Sequence, residues 1–210
     1  MNYINKKYII FDMDGTLIDS SILLANSINY VRQNIGLKPL ESKVILDAIN
    51  DENVNAPMFF YESEEFEPFH TEFFNEYYQA HYKTDSRLYP GALELIQKLS
   101  KTHKISIATN AYKKSAYEVL FALQIEHYFD IIICGDEVQN PKPHPQMLNM
   151  IIDFYEDNKD KFLFVGDSTR DELCAKNAGI DSVLVEWGFS EHKNSVHSFE
   201  DLKKLLYGNK

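Results

Sequence analysis

The chain has 210 residues, 44% hydrophobic and 25% charged, enough for one packed domain or for a core carrying a smaller insertion. Its 32 acidic residues outnumber 21 basic ones, and the formal charge of -11 repels nucleic acid and anionic lipid at long range. No apolar run approaches the length a bilayer demands, so neither nucleic acid nor a membrane is expected as a partner. The same charge repels phosphorylated metabolites, so a site for them needs its own positive charge: a metal, a lysine, helix N-termini.

In chain order, the first element follows Lys6 and Lys7. Residues 8–11 form an apolar run too short for a signal peptide and ending at Asp12, and they are read as a buried strand of a cytoplasmic protein. From about residue 20 to 83 no strand pattern occurs. Helices are expected over 20–36, 41–49 and 62–83, the last bent or starting at Pro68. It carries Phe66, Phe69, Phe73 and Tyr77 at helical spacing. That stripe reads as the core of a small bundle, with one or two rings available to a hydrophobic substrate pocket. Residues 19–20 and 84–89 read as hinges.

Beyond them, apolar runs at 105–108, 131–133, 162–165 and 183–185 alternate with helical patterns at 92–99, 113–123, 145–155 and 169–178. Pro90 suits the first turn before 92–99, and Gly179 suits the end of 169–178. Ser198 and Asp201 resemble a capping box opening a final helix. Continuous apolar strands alternating with helices predict an α/β fold, a doubly wound, Rossmann-like parallel sheet whose site lies at the strands' C-terminal ends. The expected organisation is core at 1–18, an inserted helical cap at 19–86, and core again at 87–210. Cys134 and Cys174 match no zinc spacing and read as reduced, buried thiols.

Four strand-end or loop motifs carry the chemistry. Asp12-Met13-Asp14-Gly15-Thr16 places two acids side by side after a buried strand, which is costly unless a cation or shared proton offsets them, and Gly15 permits a sharp turn. Gly166-Asp167-Ser168-Thr169-Arg170-Asp171 opens a helix, with Asp167 and Asp171 four apart. Alone it could be a capped helix start; with Asp12 and Asp14 ending another strand, the acids suit Mg²⁺ and its preference for hard oxygen. Thr109-Asn110 is an ordinary helix start or a grip on phosphate oxygens. In Pro141-Lys142-Pro143-His144-Pro145 the prolines stiffen a loop that either positions Lys142 or leaves it solvated. His144 reads as shaping that loop, and Arg170 as a salt-bridging surface residue rather than a substrate clamp.

In order and placement these motifs resemble the haloacid dehalogenase superfamily over the whole chain, and the insertion resembles the helical cap of its phosphoglycolate phosphatase-like branch. The resemblance implies a Mg²⁺-dependent phosphatase acting on a small phosphorylated metabolite through an aspartyl-phosphate. Asp12 would be the nucleophile and Asp14 the general acid and base. The metal would be held by Asp12, the Asp14 backbone carbonyl, Asp167 and, directly or from a second layer, Asp171. Gly15, Thr109, Asn110 and Lys142 would bind phosphate. Asp14 argues against the dehalogenases, which lack that acid. Phosphonate-cleaving relatives need a cap lysine, and Lys38, Lys43 and Lys83 read as surface residues. A sugar-phosphate mutase and a non-catalytic phosphometabolite sensor are the alternatives. The loop Asn50-Asp51-Glu52-Asn53-Val54-Asn55 lacks the glycine-rich character associated with phosphoglycolate phosphatases; either Asn53 or Asn55 binds a hydroxylated leaving group or the loop is a solvated connector. A monomer is expected, since a cap that opens and closes needs no partner chain.

Overall fold

The computed structural model describes residues 3–51, 53–189 and 195–208. The chain runs from strand β1 (Tyr8–Phe11) through β2 (Ile18–Asp19) into helices α1 (Ser21–Asn34), α2 (Ser42–Asn50), α3 (Ala56–Tyr61) and α4 (Pro68–Asp85). It returns through β3 (Arg87–Leu88) and then alternates: α5 (Ala92–Leu99), β4 (Lys104–Ala108), α6 (Lys113–Ala122), β5 (Ile131–Ile133), α7 (Gln146–Tyr155), β6 (Phe162–Gly166), α8 (Thr169–Ala178), β7 (Asp181–Leu184) and α9 (Phe199–Tyr207).

The main sheet has five strands in the order β5-β4-β1-β6-β7, and every pairing in it is parallel. β1 is central, with Ile9 opposite Ile105 on β4 and Leu163 on β6. Successive side chains point to opposite faces, and both faces are covered. Ile9, Phe11, Ile107 and Val165 pack with α5, α6 and α9, whereas Tyr8, Ile10 and Phe164 pack with α7 and α8. This is the α/β architecture expected from the alternating pattern. Because all five strands run the same way, the ends of β1, β4 and β6 meet on one edge, where the motif residues follow.

The helices between β2 and β3 bury a cluster of their own, including Ile28, Val31, Ile45 and Phe60. Arg32 is buried there, donating from Nε to the Lys38 carbonyl at 2.6 Å and from Nη1 to the Phe60 carbonyl, so it fastens α1 to the next turn and to α3.

Several expectations need correction. α3 occupies residues with no predicted element; six residues are too few to show a period, and the helix is set by its cap, Asn55 accepting from the Met58 N–H, with Pro57 in the first turn. Glu62 ends α3 in the left-handed conformation, φ 56, and of the two readings of the third helix, bent or starting at Pro68, the start at Pro68 is the one observed. The segments read as hinges contribute to a short antiparallel ribbon that the sequence did not predict, Ile18 opposite Leu88 and Asp19 opposite Arg87, with the Arg87 guanidinium 2.8 Å from Asp19. Pro90 precedes the helix start, because Gly91, at φ 91, is the N-cap of α5. The last strand covers 181–184 rather than 183–185: Asp181 and Ser182 pair with Leu163 and Phe164, and Val185 bridges to Val196.

Candidate active site

After β1 the chain turns within a few residues. The Met13 carbonyl accepts from the Leu17 and Ile18 N–H groups, and Gly15 holds φ 81. The turn leaves Asp12 at the strand end, 7% exposed, and Asp14 half-buried beside it, its Oδ1 accepting from Ser20 Oγ at 2.6 Å. At the end of β6, Ser168 caps α8: its Oγ accepts from the Asp171 N–H, while Asp171 Oδ2 accepts from the Ser168 N–H at 3.1 Å and from its hydroxyl at 2.6 Å. The capping box thus supplies the local order that aims Asp171.

Asn110, after β4, clamps the Lys142 backbone in both directions, accepting from its N–H at 3.0 Å and donating to its carbonyl at 3.1 Å. Held this way, Lys142 buries its side chain and places Nζ 2.6 Å from Asp12 Oδ1 and 2.7 Å from Asp171 Oδ1. Thr109 is buried alongside, its hydroxyl accepting from the Ala111 N–H at 3.1 Å.

Asp12, Asp167 and Asp171 offer carboxylate oxygens that all lie within 4.8 Å of one another. Glycines make this crowding possible. A Cβ on Gly15 would sit 2.3 Å from Asp167 Oδ2, one on Gly166 2.5 Å from the Asp171 side chain, and one on Gly188 2.4 Å from Asp167 Cβ. Burial, with Asp171 and Asp167 close by, pushes the Asp12 carboxyl well above its ordinary range despite Lys142. Burial raises Asp14 too, with Ser20 and Lys142 opposing. Asp167 is pushed up to about 6 by burial and by Asp171, against hydrogen bonds from the Phe189 N–H and Asn50. Burial disfavours the charged Lys142 ammonium, but Asp12 and Asp171 outweigh it and raise its pKa. One ammonium against three close carboxylates leaves a negative excess. An all-oxygen, buried, anionic donor set fits Mg²⁺.

Above this cluster lies a cavity of about 390 Å³, with Asp12, Asp14, Thr109, Asn110 and Lys142 on its wall and α1, α3 and α4 opposite. Gly15 packs beneath Asp167. Asn53 and Asn55 do not join the site. Asn53 donates to Asp51 Oδ1 at 2.8 and 3.1 Å, Asn55 caps α3, and neither lines the cavity. Glu52, in the same loop, lies outside the described residues. The loop's contribution is Asn50, whose Nδ2 donates to Asp167 Oδ2 at 3.1 Å. Arg170 is on the cavity wall and donates from Nη2 to the Asp51 carbonyl at 2.7 Å, a second tie between the helical segment and the core. Lys38, Lys43 and Lys83 are exposed and away from the cavity. His144 Nδ1 accepts from the Gln146 N–H at 3.3 Å and so shapes the start of α7. Both cysteines are buried, and burial raises their thiols to about 12, which leaves no thiolate for chemistry.

The family model described as haloacid dehalogenase-like hydrolase matches residues 9–185. The chain is 27% identical over 206 residues to a phosphoglycolate phosphatase of Aquifex aeolicus, covering 95% of this chain and 96% of that one. It is 30% identical over 198 residues to the phosphoglycolate phosphatase of Vibrio cholerae, covering 88% and 86%. A crystal structure of a predicted phosphoglycolate phosphatase from Haemophilus somnus superimposes with a TM-score of 0.83 at 27% identity, covering 96% of this chain and 98% of that one. With a match that spans the first strand, the helical segment and the sheet, this chain belongs to the haloacid dehalogenase-like hydrolase family.

Proposed function

We propose that this chain is a Mg²⁺-dependent phosphatase that hydrolyses a small phosphorylated metabolite, a phosphomonoester, through an aspartyl-phosphate on Asp12. The observation that carries the reading is the placing of Asp12, under the Lys142 ammonium at 2.6 Å, on the wall of a cavity that Asp14 also lines. The similarity to the phosphoglycolate phosphatases of Aquifex aeolicus and Vibrio cholerae supports the same reaction class.

In this reading Asp12, the Asp14 backbone carbonyl, Asp167 and, directly or through water, Asp171 hold Mg²⁺, which supplies positive charge to the phosphoryl oxygens. An Asp12 carboxylate oxygen bonds to phosphorus as the bond to the leaving oxygen breaks. Asp14, whose raised pKa keeps more of it protonated than an exposed aspartate, gives its proton to that oxygen. A water then attacks the same phosphorus, Asp14 takes its proton, and the bond to Asp12 breaks. Lys142 and Thr109 compensate phosphoryl charge, Gly15 lets the backbone come close, and Asn110 acts largely through its clamp on Lys142. Residues 19–86 act as a cap over a core formed by 1–18 and 87–210.

The test is phosphate release from p-nitrophenyl phosphate with Mg²⁺ and with EDTA, on wild type and Asp12→Asn. Turnover should require the metal and fall by about a thousandfold or more in the variant. Turnover that survives EDTA or the substitution overturns the reading.

A further inference from the structure

The cavity is chemically lopsided. Its floor is polar, whereas the wall supplied by the helical segment includes Leu24, Ile28, Phe60, Phe66, Phe74 and Tyr78. The volume of about 390 Å³ falls within the ~300–1,000 Å³ typical of sites for drug-sized ligands. A two-carbon acid would leave most of that apolar wall facing trapped water. It would also need a cation for its carboxylate. The lysine and arginine on the wall are Lys142, held between Asp12 and Asp171, and Arg170, bound to the Asp51 carbonyl.

Four polar residues of α4 line the cavity, His70, Thr71, Asn75 and Tyr78; His70 is tied into the Glu67 cap, and the two set beside Phe74 are Tyr78 and Asn75. Tyr78 is 3% exposed, and its hydroxyl has no hydrogen-bond partner among the described residues. That hydroxyl is not fully sealed from solvent, and Tyr78 lines the cavity. Asn75, one turn away, also lines the cavity, and its amide has no hydrogen-bond partner among the described residues. The Tyr78 ring stacks on Phe74 at 5.8 Å, giving a flat platform edged by a hydroxyl and an amide. Buried tyrosine hydroxyls ordinarily find a partner. Here the group that would supply one is the ligand.

We propose that the leaving group is a ring-bearing alcohol with a flat, largely apolar aromatic body and a polar edge, rather than a short hydroxy acid or a polyol. This rests on the phosphatase reading above. The ring lies against Phe74 and Tyr78, and its polar edge meets the Tyr78 hydroxyl and the Asn75 amide.

The test compares kcat/KM for primary alkyl esters of matched intrinsic reactivity: naphthylethyl phosphate, phosphoglycolate and a hexose phosphate. Acetyl phosphate probes the floor alone. The naphthylethyl ester should be preferred over both others by about tenfold or more, and Phe74→Leu should cut that ratio several-fold. The free alcohol, naphthylethanol, should raise the melting temperature of the protein in EDTA where glycolate does not. Acetyl phosphate turnover with phosphoglycolate or the hexose ester preferred overturns this inference and leaves the phosphatase reading standing. No metal-dependent turnover of any of the four overturns both. A ratio unchanged in Phe74→Leu overturns the assignment of the platform.

Discussion

Lys142 Nζ lies 2.6 Å from Asp12 Oδ1 and 2.7 Å from Asp171 Oδ1, and all three side chains are nearly sealed from water. Removing the ammonium leaves close, buried carboxylates without their counter-ion. Lys142→Met should therefore cost about 3 kcal/mol of stability in EDTA, read by urea denaturation. It should also lower turnover with Mg²⁺ by about a hundredfold or more, read by initial rates. Full turnover in a stably folded variant would show that Lys142 is structural only. Asp12, Asp14 and Lys142 were legible in the sequence because each stands in a local context that is costly without a purpose: paired acids after a buried strand, a lysine between prolines. Ser20, Asn50 and Gly188 were not. Asn50 meets Asp167 across 117 positions of sequence, and the crowding that requires Gly188 exists only once β6 and the loop after β7 are side by side. Asn53 and Asn55 looked equivalent to Asn50 on the line of sequence. What separates them is that Asn55 caps α3, a helix too short to announce itself.

At the scale of elements, α4 begins with a reciprocal box. The Glu67 side chain accepts from the His70 N–H, and His70 Nδ1 accepts from the Glu67 N–H at 3.1 Å. His70 is buried between Tyr61 and Phe69, with ring centroids 4.5 and 4.4 Å away. An imidazole that accepts at Nδ1 must be neutral there, and burial lowers its pKa, with Glu67 opposing. The unfolded chain therefore binds this proton more readily. The contribution of neutral His70 is complete above the unfolded value of about 6.5 and is lost as pH falls below it. Between pH 7.5 and 5.5 wild type should lose more stability than His70→Gln, whose side-chain oxygen can still accept from Glu67. Equal losses in thermal melts at the two pH values would remove the idea. The helices and the parallel strands were readable from period and length. The β2–β3 ribbon was not: two residues per strand carry no pattern, and the pairing joins Asp19 to Arg87 across the whole helical segment.

Over the whole molecule, a formal charge of -11 surrounds a site that must attract a dianion. Lys142 and Arg170 act within the cavity, but at a distance the acidic surface sets the sign. Screening shortens the range of that repulsion from about 30 Å at 0.01 M salt to about 8 Å at 0.15 M. With Mg²⁺ held constant and saturating, kcat/KM for a phosphomonoester should therefore rise over this interval, while kcat changes little. A fall in kcat/KM would mean that the local positive field governs capture. The parallel sheet explains how the site reconciles these charges: the ends of β1, β4 and β6 and the segment after β5 lie on one edge, so that acids, hydroxyl and lysine come from separate stretches of chain and meet only where the ligand goes.

The ribbon has a consequence for how such a molecule can vary. Chain enters and leaves the helical segment at neighbouring residues, Ile18 facing Leu88. Topologically the whole segment is one long hairpin loop, a bead hung from a single clasp. The sheet's register is set between β1, β4 and β6, and none of those pairings depends on how much chain hangs from the clasp. Helices can be lengthened, shortened or exchanged there without threading anything through the core. The edge of strand ends and the helical wall of the cavity can therefore diverge at different rates within one polypeptide.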